Sequence, residues 1–150
     1  MTEKKPWHGV IVATALQFKD DMSVDYDAFG EHVAWLAANG CDGVAPNGSL
    51  GEYQNLSDVE RAQVIKTAVD ASPEGFTVMA GVGAYGALQS AHWATQAAEA
   101  GASCVMLLPP NTFRANHEQV KEHYATVAKA GLPIVAYNNP IDTKVDLVPE

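Results

Sequence analysis

The sequence predicts an α/β fold in which parallel strands alternate with single helices. Three observations predict it: short apolar runs that end in turn residues, segments of helical period between those runs, and capping residues or glycines at the helix ends. This alternation requires right-handed crossovers and a parallel sheet covered by helices. A doubly wound open sheet and a (β/α)8 barrel both satisfy that requirement.

Five apolar runs are predicted to be buried strands. In chain order they are GVIVATALQF, CDGVAPNG, FTVMAGVG, SCVMLLPPN and LPIVAYNNP. Each is rich in Val, Ile, Leu, Phe or Ala and ends in Gly, Pro, Asn or Gln, as expected of strands covered on both faces. The 150 residues supply about five β/α units, whereas a complete (β/α)8 barrel takes about 250 residues.

Four segments between the strands are predicted to be helices with one apolar face. The predicted faces are Phe29, Val33, Leu36 and Ala37; Ala62, Ile65 and Val69; Ala91, Ala94 and Ala98; and Val120, Tyr124, Val127 and Ala128. Ser57 with Glu60 predicts a capping box at the start of the second helix, and Asn116 with Gln119 a weaker one at the start of the fourth. Helix ends are predicted at Gly40, Gly101 and Gly131. The final DLVPE is typical of the approach to a fifth helix.

The charge balance excludes two classes of partner. The sequence has nine Lys and Arg and eighteen Asp and Glu, which gives a net charge of −9. Such a chain repels nucleic-acid backbones and anionic membrane surfaces, so we expect neither as a partner. The first residues contain no apolar run long enough for a signal peptide or a spanning helix, which favours a cytoplasmic location. Cys41 and Cys104 have no partner at metal-ligand spacing and are predicted to be reduced core residues.

A glycine motif follows the third strand. Gly81, Gly83 and Gly86 satisfy the G-x-G-x-x-G pattern between a strand and a helix, which suggests an NAD(P)-binding oxidoreductase. The motif is not on the first strand, however, and the next strand ends in prolines where an acidic ribose ligand would stand. The alternative is that these glycines form a tight turn and let the backbone approach a neighbouring loop.

Polar side chains gather after the strands, where parallel α/β folds bind ligands. They are Thr14 and Gln17; Asn47, Ser49 and Glu52; Tyr85; Asn111 and Thr112; and Tyr137, Asn138 and Asn139. The loop from Gly48 to Glu52 offers backbone N–H groups to a carboxylate or phosphate. A phenol at Tyr137 could exchange protons if Ser49 relayed them, and the alternative is a buried structural tyrosine.

The histidines do not predict a metal or hydrolase site. His32, His92, His117 and His123 fall on helices, where we expect solvated faces, and His8 precedes the first strand. No Ser, His and Asp set forms at the strand ends. We therefore expect no metal.

Two motifs resemble those of a known family. The sequence GSLGE at Gly48 to Glu52 and YNNP at Tyr137 to Pro140, together with the GVGA turn, resemble the dihydrodipicolinate synthase and N-acetylneuraminate lyase family over about Trp7 to Glu150. These proteins are Schiff-base class I aldolases on a (β/α)8 barrel. The resemblance implies that residues 1–150 are the amino-terminal part of a single barrel domain, with its first five strands and four helices.

The resemblance also implies roles for individual residues. The backbone amides of Ser49 and Leu50 would bind the carboxylate of pyruvate or another 2-oxo acid, and Gly48, Asn111 and Asn139 would belong to the same substrate site. Ser49 and Tyr137 would be catalytic and pass protons. The family implies no cofactor and predicts a homo-oligomer, a dimer or a tetramer.

The family's nucleophile is a buried lysine on the sixth strand, whose neutral amine attacks the substrate carbonyl. The lysines of this sequence are Lys4, Lys5, Lys19, Lys66, Lys121, Lys129 and Lys144, and none lies in an apolar strand. Extrapolation of the repeat puts the sixth strand at roughly residue 160. The chain alone is therefore expected to be inactive. A non-catalytic member that binds 2-oxo acids is the other alternative.

Three positions depart from dihydrodipicolinate synthases. Leu50 stands where they have a second Thr, Asn111 stands near the place of a Tyr that reaches a neighbouring subunit, and Asp142 stands where an Arg binds the second substrate's carboxylate. The Leu removes a hydroxyl from the proton path, and the Asp would repel a carboxylate. These departures favour cleavage or dehydration of a sugar acid or hydroxy-oxo acid over lysine biosynthesis.

Overall fold

The structure, a computed structural model, describes residues 5–148 and contains five strands that alternate with helices. The strands are β1 (Ile11–Ala13), β2 (Gly43–Ala45), β3 (Thr77–Gly81), β4 (Cys104–Leu107) and β5 (Ile134–Ala136). The helices are α1 (Tyr26–Ala38), α2 (Asp58–Asp70), α3 (Ala87–Ala100), α4 (His117–Ala128) and a short α5 (Pro140–Thr143). The predicted alternation is confirmed. The short α5 was not predicted, and of the segment DLVPE residues 146–148 are not helical while 149–150 lie outside the described residues.

All five strands are parallel and follow one another across the sheet in the order β1-β2-β3-β4-β5. Val12 pairs with Val44 between the first two strands, and Met106 pairs with Val135 between the last two. A doubly wound sheet reverses its strand order at a switch point, whereas a barrel continues in one direction. The fold is therefore the first five strands of a (β/α)8 barrel.

The two faces of the sheet carry separate apolar clusters. Along β3 and β4 the side chains alternate, so that Ala80 and Val105 join the large cluster shared with the helices. Met79 and Cys104 join Ala45 in a smaller cluster. Since adjacent residues of a strand point to opposite faces, the smaller cluster covers the inner face of the barrel.

Both predicted capping boxes are present. The Ser57 hydroxyl accepts from the Glu60 amide at 3.3 Å, and the Glu60 carboxylate accepts from the Ser57 amide at 2.8 Å. Asn116 and Gln119 exchange the equivalent bonds at 3.0 and 2.9 Å. The three predicted helix ends adopt positive φ, at Gly40, Gly101 and Gly131. Local sequence signals therefore place the helix ends correctly.

The predicted helix faces need correction beyond α1. Phe29, Val33 and Leu36 are buried as predicted. The buried residues elsewhere are Arg61, Val64, Ile65 and Ala68 on α2; Ser90, Trp93, Ala94 and Ala97 on α3; and Val120, His123 and Val127 on α4. The buried faces of α2 and α3 are therefore rotated by about one residue from the predicted ones, and they include Arg61 and Trp93.

The cysteines differ in burial. Cys41 and Cys104 are both free thiols, as predicted, but Cys41 is only half-buried. Cys104 is fully buried on the inner face, and burial raises its pKa to about 11. Among residues 5–148, every helix is too short or too polar to cross a bilayer.

Candidate functional site at the carboxyl ends of the strands

Backbone hydrogen bonds hold the carboxyl ends of four strands side by side. The Gly81 amide donates to the Pro46 carbonyl at 2.9 Å, and the Tyr137 amide donates to the Leu107 carbonyl at 2.9 Å. The Val82 amide donates to a carbonyl of β4 at 3.1 Å. The loops that follow β2, β3, β4 and β5 therefore leave the sheet at one edge, where barrels bind their ligands.

The loop after β2 begins with a single 3₁₀ turn at Ser49–Gly51. The Gly51 amide donates to the Gly48 carbonyl at 3.0 Å, and the Glu52 amide donates to the Ser49 carbonyl at 3.1 Å. The two amides before them, those of Ser49 and Leu50, have no backbone acceptor within the described part of the chain, as is usual at the start of a helical turn. They are available to an anion.

The side chains of this turn face solvent. Ser49 is exposed, and Leu50 is 63% exposed, so the leucine contributes little to the core. Glu52 adopts a left-handed conformation with φ of 51° and accepts a hydrogen bond from the Asn55 side chain at 3.1 Å. The carboxylate of Glu52 therefore stabilises the loop internally.

Tyr137 stands directly after β5, with its side chain 42% exposed. The next two residues are fixed by their own side chains. The Asn138 amide donates to Asp146 at 2.8 Å and its oxygen accepts from the Leu147 amide at 3.1 Å. Asn139 caps α5 by accepting from the Asp142 amide. The loop is thus held in place while the phenol remains accessible.

Met106, on the inner face, lies near the loop after β2 and pairs with the strand that leads to Tyr137. Its methyl carbon lies 3.7 Å from the position that a Cβ on Gly48 would take. Met106 also pairs with Val135 of β5, two residues before Tyr137. Ser49 and Tyr137 therefore follow strands that border the same inner face, with β3 and β4 between them.

Asn111 and Tyr85 lie in a different place from Ser49 and Tyr137. Together with Tyr53, Arg61 and Trp93 they line a cavity of about 260 Å³. The described lining includes neither the Gly48–Gly51 turn nor Tyr137. The structure thus brings Asn111 and Tyr85, from the loops after β4 and β3, together in one cavity.

Arg61 is the residue that sequence reasoning missed. It is 6% exposed and donates to the Gly83 carbonyl at 3.2 Å and to the Gly81 carbonyl at 3.4 Å. Burial lowers the pKa of its guanidinium to about 10, which leaves it charged at neutral pH. The spacing of Arg61 could have indicated its burial. Arg61 precedes the buried Val64 and Ile65 by three and four residues, which places all three on one helix face.

In the glycine motif, Gly81 lets the turn after β3 lie close to the backbone of the loop after β2. A Cβ on Gly81 would lie 2.1 Å from the Asn47 carbonyl oxygen, so only glycine fits. Asn47 itself is 4% exposed and donates from its side chain to the Arg61 carbonyl at 3.0 Å. The predicted approach of this turn to a neighbouring loop is confirmed. The continuous strand order also lacks the switch point at which doubly wound sheets bind dinucleotides.

The histidine and lysine expectations have different outcomes. The solvated position predicted for His123 is wrong: it is 2% exposed, and its Nε2 lies 3.0 Å from the Leu108 carbonyl oxygen. The described lysines are all exposed and outside strands, as predicted, and Lys4 lies outside the described residues. Within residues 5–148, no three His, Cys, Asp or Glu side chains are grouped so as to hold a metal ion.

Comparisons with known proteins agree with this architecture. The family model of the "Dihydrodipicolinate synthetase family" matches residues 6–150. An uncharacterised DapA-like lyase of Rhizobium meliloti is 36% identical over 147 residues, which are 98% of this chain and 49% of that protein. A 4-hydroxy-tetrahydrodipicolinate synthase of Chelativorans sp. is 34% identical over 145 residues, or 96% of this chain and 50% of that protein.

A solved structure is similar over the same extent. A prophage protein of the dihydrodipicolinic acid synthase family from E. coli K12, solved in complex with pyruvate, superposes with a TM-score of 0.87 and 26% identity. The match covers 93% of this chain and 47% of that one. The chain spans about half the length of the curated relatives it matches.

Proposed function

Because the chain belongs to the dihydrodipicolinate synthetase family, whose barrel fold it shares over five strands, we propose that the protein is a cytoplasmic lyase that acts on pyruvate or a related 2-oxo acid through a lysine Schiff base. Residues 1–150 would be the amino-terminal portion of one barrel domain. The single observation that carries the proposal is the position of Ser49 and Tyr137 after β2 and β5 on one sheet edge.

The first step is binding of the substrate carboxylate by the turn after β2. The amides of Ser49 and Leu50 have no backbone acceptor in the described chain, and they stand at the start of a turn that the Gly51 amide closes on the Gly48 carbonyl. Two backbone donors bind a carboxylate whatever the side chains are. This explains why an exposed leucine is compatible with an anion site.

Proton transfer is assigned to Tyr137 and Ser49. A Schiff base forms when a neutral amine adds to the 2-oxo carbon and the resulting carbinolamine loses water. The carbinolamine oxygen leaves only if it is protonated, so a phenol at the site must donate a proton and later recover it. Tyr137 is accessible and its backbone is held to β4, which suits that role. Ser49 would relay the proton.

The remaining predicted residues have supporting roles. Asn139 is occupied as the cap of α5, so it would act by holding the loop after Tyr137. Asn111 lines the separate cavity and would act from there. The nucleophilic lysine is proposed to lie beyond residue 150, since the described lysines are exposed and stay solvated. This chemistry requires no metal or organic cofactor.

The substrate is proposed to be a sugar acid or a hydroxy-oxo acid, cleaved or dehydrated. Asp142 follows the Tyr137 loop, is exposed and lies within hydrogen-bonding distance of the Asn139 amide, so this position carries a negative charge. A second substrate with its own carboxylate would be repelled here, whereas hydroxyl groups would be accepted as donors. We further propose that the protein forms a homo-oligomer, a dimer or a tetramer.

Borohydride trapping of the full-length protein with pyruvate tests the proposal. Reduction of the Schiff base should add the mass of the reduced pyruvate adduct to one lysine. A natively folded protein that gains no adduct would contradict the lyase and leave a non-catalytic binder of 2-oxo acids, which isothermal titration with pyruvate would then detect. Titration with NADH serves as the negative control, because the oxidoreductase alternative alone predicts binding.

A further inference from the structure

A small buried cavity lies between α2, α3 and the end of β3. Its volume is about 10 Å³, and its lining includes Asn47, Arg61, Trp93 and Gln96. A volume of about this size holds the centre of one water molecule. The cavity is separate from the larger one that contains Tyr85 and Asn111.

Each of these four residues has one buried polar atom without a hydrogen-bond partner in the described chain. They are Asn47 Oδ1, Arg61 Nε, Trp93 Nε1 and Gln96 Oε1. Three of the side chains are at most 6% exposed. An unpaired buried polar group costs about 1–3 kcal/mol. One shared partner in the cavity would remove this cost at all four atoms.

The partners of the other atoms orient the two amides. Asn47 donates from its side-chain nitrogen to the Arg61 carbonyl, which leaves its oxygen as an acceptor. The Gln96 nitrogen lies 3.2 Å from Nε2 of His92, and its buried oxygen has no partner in the described chain. The other two atoms are N–H donors by chemistry.

We propose that this cavity is a built site for one ordered water molecule. Two donors and two acceptors are the complement of the two lone pairs and two hydrogens of water. An anion would require donors only and a cation acceptors only, so the mixed set selects a neutral molecule that both donates and accepts. The water accepts from Arg61 and Trp93 and donates to Asn47 and Gln96.

This water links Gln96 of α3 to the loops at the strand edge. Through it α3 is connected to Arg61, which binds the Gly81 and Gly83 carbonyls, and to Asn47, which precedes the Gly48 turn. Asn47 adopts a positive φ of 57°, a conformation that a non-glycine residue holds only when its surroundings fix it. The inference does not depend on the proposed reaction.

A high-resolution crystal structure of the full-length protein tests the site. A single peak that refines as water within about 3.2 Å of Arg61 Nε and Gln96 Oε1 supports it. No peak, or direct pairing of the four atoms with one another, would overturn it.

A variant provides a second test. Gln96→Met keeps a similar volume and removes the side-chain amide, both the acceptor Oε1 and the Nε2 contact with His92. Gln89→Met, on the exposed side of the same helix, is its matched control. Gln96→Met should displace the water and lower Tm by about 2–4 °C, while Gln89→Met should leave the water and the Tm unchanged. Equal Tm for the two variants would contradict the proposed water site. If Gln96→Met does not fold, the crystal structure of the unsubstituted protein still tests whether the water is present.

Discussion

The guanidinium carbon of Arg61 lies 4.3 Å from the centroid of the Trp93 ring, which joins α2 to α3 beneath the end of β3. The same carbon lies 5.1 Å from the centroid of the Tyr53 ring. With no carboxylate bonded to it in the described chain, the buried charge is stabilised by the two rings and by carbonyl oxygens. Arg61 thereby holds the turn after β3 against the loop after β2.

Replacing Arg61 should therefore destabilise the protein strongly. Arg61→Lys keeps the charge but loses the forked donors and the planar contact with Trp93. We expect a loss of about 2–4 kcal/mol in the free energy of unfolding, measured by urea denaturation. Arg114→Lys, at an exposed position, is the control and should change stability by less than about 0.5 kcal/mol. Similar losses for both variants would show that Arg61 has no special structural role.

A matched pair of substitutions in the glycine motif tests the close backbone contact at Gly81. Gly81→Ala would place a Cβ 2.1 Å from the Asn47 carbonyl oxygen, a backbone atom that has no room to move. Gly86→Ala meets nothing within 4 Å. We expect Gly81→Ala to cost about 1–3 kcal/mol in unfolding free energy and Gly86→Ala only a few tenths. Equal effects would refute the close approach at Gly81.

Stability should depend on pH through His123. Burial lowers the pKa of this imidazole below its ordinary value of 6.5. Below pH 6.5 the unfolded chain therefore binds more protons than the folded one, so stability is fully present above this pH and is lost as the pH falls toward the folded pKa. The slope contributed by one proton is at most about 1.4 kcal/mol per pH unit.

Substitution of His123 checks this dependence. His123→Phe should flatten the decline in unfolding free energy between neutral and mildly acidic pH, measured by urea denaturation at each pH. His92→Asn, at an exposed position of α3, should keep the decline. An unchanged slope in His123→Phe would assign the pH dependence to other groups.

Tyr137→Phe should separate proton transfer from folding. The phenol makes up only part of an exposed side chain, so stability should change little. Loss of a general acid typically lowers kcat by about 10²–10⁴-fold. Steady-state kinetics of the full-length protein measure this, with Tyr85→Phe as the control, because Tyr85 is 70% exposed and lies in the loop after β3, in a cavity whose described lining does not include Tyr137. A kcat within a few-fold of the parent protein would exclude Tyr137 as the proton donor.

A pair of substitutions at Ser49 isolates the backbone donor. Ser49→Ala removes the hydroxyl alone, whereas Ser49→Pro also removes the N–H. The first position of a helical turn accepts proline, and Gly48 before it is extended with ψ of −175°, which proline also permits. We expect Ser49→Ala to lower kcat and Ser49→Pro in addition to raise KM for pyruvate about tenfold or more. Identical KM values would argue against carboxylate binding by this amide.

Much of the fold follows from short-range signals. The capping box of Ser57 with Glu60 and the positive φ of Gly101 involve residues at most a few positions apart, so the sequence displays them directly. The buried faces of α2 and α3 were harder to predict. An arginine is normally counted as solvated, and the groups that make the burial of Arg61 favourable, such as Trp93 thirty-two positions along the chain, are distant in sequence.

Sequence patterns alone predict the alternation of strands and helices, the helix ends and the polar residues after the strands, and the GSLGE and YNNP motifs indicate the family. The folded chain was needed to show that the strands run in the order of a barrel, that Asn111 and Tyr85 share a cavity, and that Arg61 and His123 are buried. The reason is range: capping and periodicity act within a few residues, whereas strand order and the burial of a polar group depend on partners that the chain brings together only when it folds.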